Sequence, residues 1–120
     1  MSEPNFVILY VESAASAASF YADLLGRPPV ESSPTFAMFA LDSGVMLGLW
    51  TRRGVEPAAT TPGGGELGFS IDDATAADTL HREWRGRGLS LAQAPTEMDF
   101  GRTFVALDPD GHRLRVFAPR

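Results

Sequence analysis

The chain carries one stretch twice. Phe39-Ala40-Leu41-Asp42-Ser43-Gly44-Val45-Met46-Leu47-Gly48-Leu49-Trp50 reads as an apolar strand, an acidic-Gly turn and a second strand. Phe104-Val105-Ala106-Leu107-Asp108-Pro109-Asp110-Gly111-His112-Arg113-Leu114-Arg115-Val116-Phe117 has the same plan, with Gly44 and Gly111 offset by 67. Such a repeat inside 120 residues implies one supersecondary unit used twice in a single domain.

Composition removes several chemistries. A net charge of −5 argues against a general nucleic-acid or anionic-membrane binder. No apolar run approaches the length of a membrane span. Met1-Ser2-Glu3-Pro4 is not the basic start of a signal peptide, so a cytoplasmic location is expected. With no cysteine there is no disulfide, thiolate nucleophile or thiolate metal site. All ten cationic side chains are arginine, so no Schiff-base lysine or phosphate-loop lysine exists.

Phe6 to Val11 is an apolar, β-branched run that predicts a strand covered on both faces. A helix from Ala14 to Leu25 follows, capped by Ser13 or Ser16 and ended by Gly26 and Pro28-Pro29. Val30 to Ser32 reads as a short strand, and Phe36 to Leu41 with Val45 to Trp50 as a hairpin. Residues 52–65 read as a linker between a first module, 5–51, and a second, 66–118. In the second, Glu66 to Ile71 is a strand, and Asp72-Asp73 caps a helix from about Ala74 to Arg87. Leu89 to Ala94, Phe100 to Leu107 and Arg113 to Phe117 complete it. The order is β-α-β-β-β twice, an α+β architecture with helices on one side of the sheet.

Three local motifs sharpen this plan: Phe20-Tyr21-Ala22-Asp23-Leu24-Leu25-Gly26, Leu67-Gly68-Phe69-Ser70-Ile71-Asp72-Asp73, and Asp108-Pro109-Asp110-Gly111-His112-Arg113-Leu114-Arg115. With them the chain resembles the glyoxalase/bleomycin-resistance/extradiol-dioxygenase superfamily, the vicinal oxygen chelate proteins. The resemblance implies two βαβββ modules forming a curved mixed sheet or half-barrel, paired in a homodimer. It also implies a metal held by four inward side chains in catalytic members. Those positions carry Phe6, Gly48, Glu66 and Arg115 here. Arg115 opposes a metal, since a guanidinium is a permanent cation with no acceptor. His81 and His112, on a helix and at a turn, do not replace the missing imidazoles. No metal and no cofactor is therefore expected, and Glu66 and Arg115 are expected to pair with each other.

If the former ligand positions face inward, alternation carries their i±2 neighbours with them. The expected cavity face holds Phe6, Ile8 and Tyr10, then Met46, Gly48 and Trp50, then Phe36, Met38 and Ala40. From the second module come Glu66, Gly68 and Ser70, then Arg113, Arg115 and Phe117, and, for the last hairpin, Phe100, Arg102 and Phe104. An aromatic-lined cleft with few polar groups is the profile of a small-molecule site, and flat π-faces favour flat ligands. Trp50 is the expected stacking platform, and Arg102 or Arg113 the candidate partner of a ligand carboxylate. The stretch Phe100 to Phe104 with Asp108 to His112 and Leu49-Trp50 is similar especially to the phenazine-resistance binding proteins of the superfamily. The expected function is non-catalytic binding of a planar aromatic antibiotic, with no catalytic residue. The rival reading is a metal-free lyase, isomerase or transferase, with Tyr10, Glu66 or Asp99 as general base.

Overall fold

The computed structural model describes residues 4–61 and 64–120, which divide into two compact units on either side of the gap. The first contains β1 (Phe6–Val11), α1 (Ala14–Leu25), β2 (Glu31–Ser32), β3 (Phe36–Ala40) and β4 (Met46–Thr51). The second contains β5 (Glu66–Ser70), α2 (Ala74–Gly86), β6 (Ser90–Met98), β7 (Gly101–Leu107) and β8 (Arg113–Pro119). Each builds one open four-stranded mixed sheet, ordered β1-β4-β3-β2 and β5-β8-β7-β6. The first and last strands of each unit run parallel, and the hairpins are antiparallel.

Local chemistry sets the helix ends. The Ser13 side chain accepts from Ser16 N, and the Asp73 side chain accepts from Ala76 N, so each satisfies a donor that the first turn leaves free. Ala14 N donates to Thr51 Oγ1 at 3.2 Å, which ties the start of α1 to the end of β4. Gly26 ends α1 at φ 69°, a conformation glycine adopts without a Cβ penalty.

The repeat extends to single hydrogen bonds. Leu41 N donates to Val45 O and Gly44 N to Leu41 O, both at 3.0 Å. Asp108 N donates to His112 O and Gly111 N to Asp108 O, also at 3.0 Å. The hairpin turns are thus the same turn, and the main difference between units is β6, nine residues against two in β2.

In the first unit the core lies between sheet and α1, where Val11, Ala17, Tyr21, Ala37, Phe39, Leu47 and Leu49 are buried. In the second, Trp84 of α2 packs edge-to-face on Phe69 and Phe104, with centroids 5.8 and 5.4 Å apart. Two expectations change. The stretch after β4 begins with a 3-10 turn at Arg52–Gly54, and Val55 is buried, so this part of the expected linker belongs to the first unit. β1 is not covered on both faces: as the edge strand of its sheet it leaves Phe6, Val7, Ile8 and Tyr10 exposed. Among the described residues no helix is long and apolar enough to cross a membrane.

Candidate functional site

Residues opposite each other in a β-ladder share a face. In the first unit this gives three rows on the face away from α1. They are Tyr10–Trp50–Phe36, Ile8–Gly48–Met38 and Phe6–Met46–Ala40. All nine predicted residues of this unit therefore stand together on the helix-free face, and none of them is charged. Tyr10 and Phe36 both meet Trp50 edge-to-face, at centroid distances of 6.3 and 6.4 Å and interplanar angles of 83° and 87°.

Gly48 makes this arrangement possible. A Cβ there would stand 3.1 Å from Phe36 Cζ, 3.2 Å from its Cε1 and 3.4 Å from Ile8 Cγ1. The Phe36 ring thus occupies the space that a side chain at position 48 would take. Its neighbour Leu49 is fully buried toward α1, as period-2 alternation requires.

In the second unit the helix-free rows are Ser70–Phe117–Thr103, Gly68–Arg115–Val105 and Glu66–Arg113–Leu107. Glu66, Gly68 and Arg115 lie there as expected. Arg115 Nε donates to Glu66 Oε1, and the pair is partly buried, with 19 % and 35 % of the two side chains exposed. Arg115 Nη1 also donates to Thr103 Oγ1 at 3.2 Å and to Gln93 Oε1 at 3.4 Å.

Arg102 and Phe104 are corrections. Phe104 is fully buried on the helix side, with Trp84 at 5.4 Å and His81 at 5.3 Å. Arg102 Nε donates to Asp78 of α2 at 2.8 Å. That hydrogen bond raises the Arg102 pKa; partial burial works against it, and the charges of Asp78 and Glu97 add to the rise. Arg102 is thus a permanent cation already committed to the helix.

The reason is local. Gly101 has φ 140°, and a Cβ there would run into the carbonyl oxygen of Ala118, so only glycine fits. The turn at Gly101 interrupts the alternation between residues 100 and 102. Phe100 consequently stays on the helix-free face, with its ring 6.1 Å from Phe117 and 5.9 Å from the Arg115 guanidinium carbon. The β7 residues on the helix-free face are Thr103, Val105 and Leu107.

Sequence reasoning also missed Gln93. The β6–β7 register shifts between Leu91 and Gln93, and the shift turns Gln93 to the face of Arg115. Bulges re-aim side chains in this way, and a single sequence carries little signal for them. One concavity of about 510 Å³ lies elsewhere, against α2, lined by Ile71, Asp73, Thr75, Ala76, Thr79, Leu80 and Glu83. Asp73 is already used there as the helix cap, and the Thr79 hydroxyl donates to Thr75 O.

Known proteins agree with this architecture. The sequence pattern of the Glyoxalase/Bleomycin resistance protein/Dioxygenase superfamily matches residues 4–116. The chain belongs to this superfamily. The phenazine antibiotic resistance protein EhpR of Enterobacter agglomerans is 30 % identical over 116 residues, 94 % of this chain and 89 % of that protein. Protein ATC0852 of Agrobacterium tumefaciens, solved by solution NMR, is 49 % identical over 100 % of this chain and 99 % of that one, with a TM-score of 0.90. A glyoxalase-related enzyme from Fulvimarina pelagi, 21 % identical, shares the fold with a TM-score of 0.83 over 98 % of this chain and 88 % of that one.

The superfamily's metal chemistry does not fit the residues at the four positions that the resemblance assigns to metal ligands. Phe6 offers no donor atom. The space at Gly48 is filled by Phe36. Glu66 is engaged by the cation Arg115. Among the described residues no group of three or more His, Asp or Glu is placed to hold a metal ion.

Proposed function

We propose that the protein binds and sequesters a planar aromatic small molecule of the phenazine antibiotic class, without transforming it. The observation that carries this reading is the uncharged row Tyr10–Trp50–Phe36, with Gly48 making room for the Phe36 ring. Flat heteroaromatic ligands gain from edge-to-face and offset stacking on such rings, beyond the area they bury. The likeness to a phenazine resistance protein supports the same ligand class.

Titration with phenazine tests it. Trp84 packs between Phe69 and Phe104 on the helix side. A Trp84→Phe variant therefore leaves Trp50 as the only indole, and phenazine should quench its fluorescence. Trp50→Ala should weaken binding at least about tenfold, since aromatic anchors at binding sites often contribute 2 kcal/mol or more. Its far-ultraviolet circular dichroism should stay unchanged. Absence of phenazine binding by the wild type would refute the reading. Unchanged binding by Trp50→Ala would move the site off this face.

The proposal includes a homodimer acting in the cytoplasm. β1 is an edge strand whose Phe6, Val7, Ile8 and Tyr10 are 49 %, 37 %, 45 % and 37 % exposed. An isologous contact with a second copy would cover that edge. Light scattering at micromolar concentration should give twice the 12.9 kDa chain mass; the mass of a single chain would refute the dimer.

A further inference from the structure

The helix-free face of the second unit carries a polar cluster that stacking on Trp50 does not use. Arg115 stands at its centre, opposite Gly68 on one side and Val105 on the other. Three acceptors hold the guanidinium. Nε donates to Glu66, and Nη1 donates to Thr103 and Gln93. The Thr103 hydroxyl spends its own proton on Val116 O at 2.8 Å, which leaves its lone pairs for Arg115. Gln93 reaches the cluster only through the register shift in β6. Among the described residues nothing accepts from the remaining nitrogen, Nη2. The guanidinium carbon lies 5.9 Å from the centroid of the Phe100 ring, which in turn stands 6.1 Å from the Phe117 ring at an angle of 82°.

The charge of this face differs from that of the whole chain. Glu66 and Arg115 offset each other. Arg113, opposite Glu66 in the ladder, is exposed and in no ion pair among the described residues. The face thus carries one net positive charge on a chain of net −5. Arg102, the other arginine of this sheet's central strands, is held by Asp78 on the opposite side.

We infer that this face is a recognition site for an aromatic carboxylate. Arg115 Nη2 donates to the carboxylate, which is the charge-assisted hydrogen bond a pre-held guanidinium makes best. The ring lies against Phe100 and Phe117, and the unpaired Arg113 adds longer-range attraction. Thr103 and Gln93 are positioning residues that fix the plane of the guanidinium. The inference rests on the reading of the protein as a binder of planar aromatic molecules, but it uses a different set of residues.

The test compares phenazine-1-carboxylate with phenazine on the full chain at neutral pH. The carboxylate should bind at least about tenfold more tightly, and it should shift the Arg115 Nε–Hε resonance and the Gly68 and Phe100 amides in nitrogen-15 spectra. The Glu66→Gln/Arg115→Gln double variant strands no charge and should bind both compounds equally. Equal wild-type affinity for the two compounds, or a preference that survives in the double variant, would overturn the inference alone. Failure of both compounds to bind the wild type would overturn it together with the phenazine reading.

Discussion

Replacing Gly48 by alanine tests the aromatic face without touching an aromatic residue. The backbone there is ordinary β-strand, so alanine meets no conformational barrier, and replacing a strand glycine gains about 0.5–1 kcal/mol. Its methyl group, however, would lie 3.1 and 3.2 Å from two carbons of the Phe36 ring. Carbon atoms prefer about 3.5–4.0 Å, so the ring must retreat by several tenths of an ångström. Overpacking of this kind costs about 1–3 kcal/mol, and the low end applies because Phe36 is only half-buried. A net loss of about 0.5 kcal/mol is expected in the wild-type background, from the low end of that cost less the low end of the gain. In a Phe36→Ala background the obstacle is gone, and the same substitution should stabilise by about 0.5 kcal/mol. The cycle therefore predicts a change of sign, with a coupling of about 1 kcal/mol. Urea denaturation of the four proteins reads it directly, since a slope of about 1–3 kcal/mol/M turns 1 kcal/mol into a resolvable midpoint shift. Equal effects of Gly48→Ala in both backgrounds would mean that Phe36 does not fill the space over residue 48. The interlocking of these two residues would then be withdrawn.

Two further expectations concern the second unit. Removing either Glu66 or Arg115 should cost about 1–2 kcal/mol, less than for a fully buried pair because Glu66 keeps about a third of its side chain in solvent. The double change to glutamine should be milder than the sum of the single changes in urea melts, and strict additivity would remove the ion pair from the account. Phe104→Ala should cost about 3–5 kcal/mol, as befits a fully buried ring against Trp84. It should leave phenazine affinity unchanged below the melting temperature, and a selective loss of affinity would return Phe104 to the ligand site.

Elements whose signal is local could be read from the sequence. The matched glycines located both hairpins, and Ser13, Asp73 and Gly26 marked helix ends because capping needs those residue types. Alternation placed Leu47 and Leu49 in the core and Gly48 and Trp50 opposite, since the β4 ladder is regular. Alternation failed where the backbone stops being regular. Gly101 breaks the period before β7, so Phe100 shares no face with Arg102 and Phe104, and the expected match of the two hairpins, out of register with the glycine offset, put those two on the wrong face. The hairpin offset of 67 leads from Phe36, Met38 and Ala40 to Thr103, Val105 and Leu107, the residues the structure places there. Gln93 lay beyond reach, because a bulge depends on pairing with another strand. Exposure of β1 was equally hidden: a run of apolar residues reads the same in a buried strand and in an edge awaiting a partner.

Matching the two units position by position separates what maintains the fold from what distinguishes their surfaces. On the helix side most matched residues are apolar, Thr51 against Ala118 being an exception, and their volumes exchange. Ala37 and Phe39 of β3 answer to Phe104 and Ala106 of β7, so a large and a small residue trade places within one strand and all four stay buried. That is how a core tolerates substitution: total volume and pattern persist while individual residues change. On the helix-free side size also exchanges along the middle row, from Ile8–Gly48 to Gly68–Arg115. There, however, the chemical character changes as well. Phe6 and Met46 become Glu66 and Arg113, and Tyr10 and Phe36 become Ser70 and Thr103. Packing requirements explain the exchange of volumes and do not explain the exchange of character. Because the period is two, adjacent residues such as Leu49 and Trp50, or Leu114 and Arg115, answer to different demands, one to stability and the next, under the proposed function, to the ligand. Substitutions at such neighbours should therefore separate melting temperature from affinity.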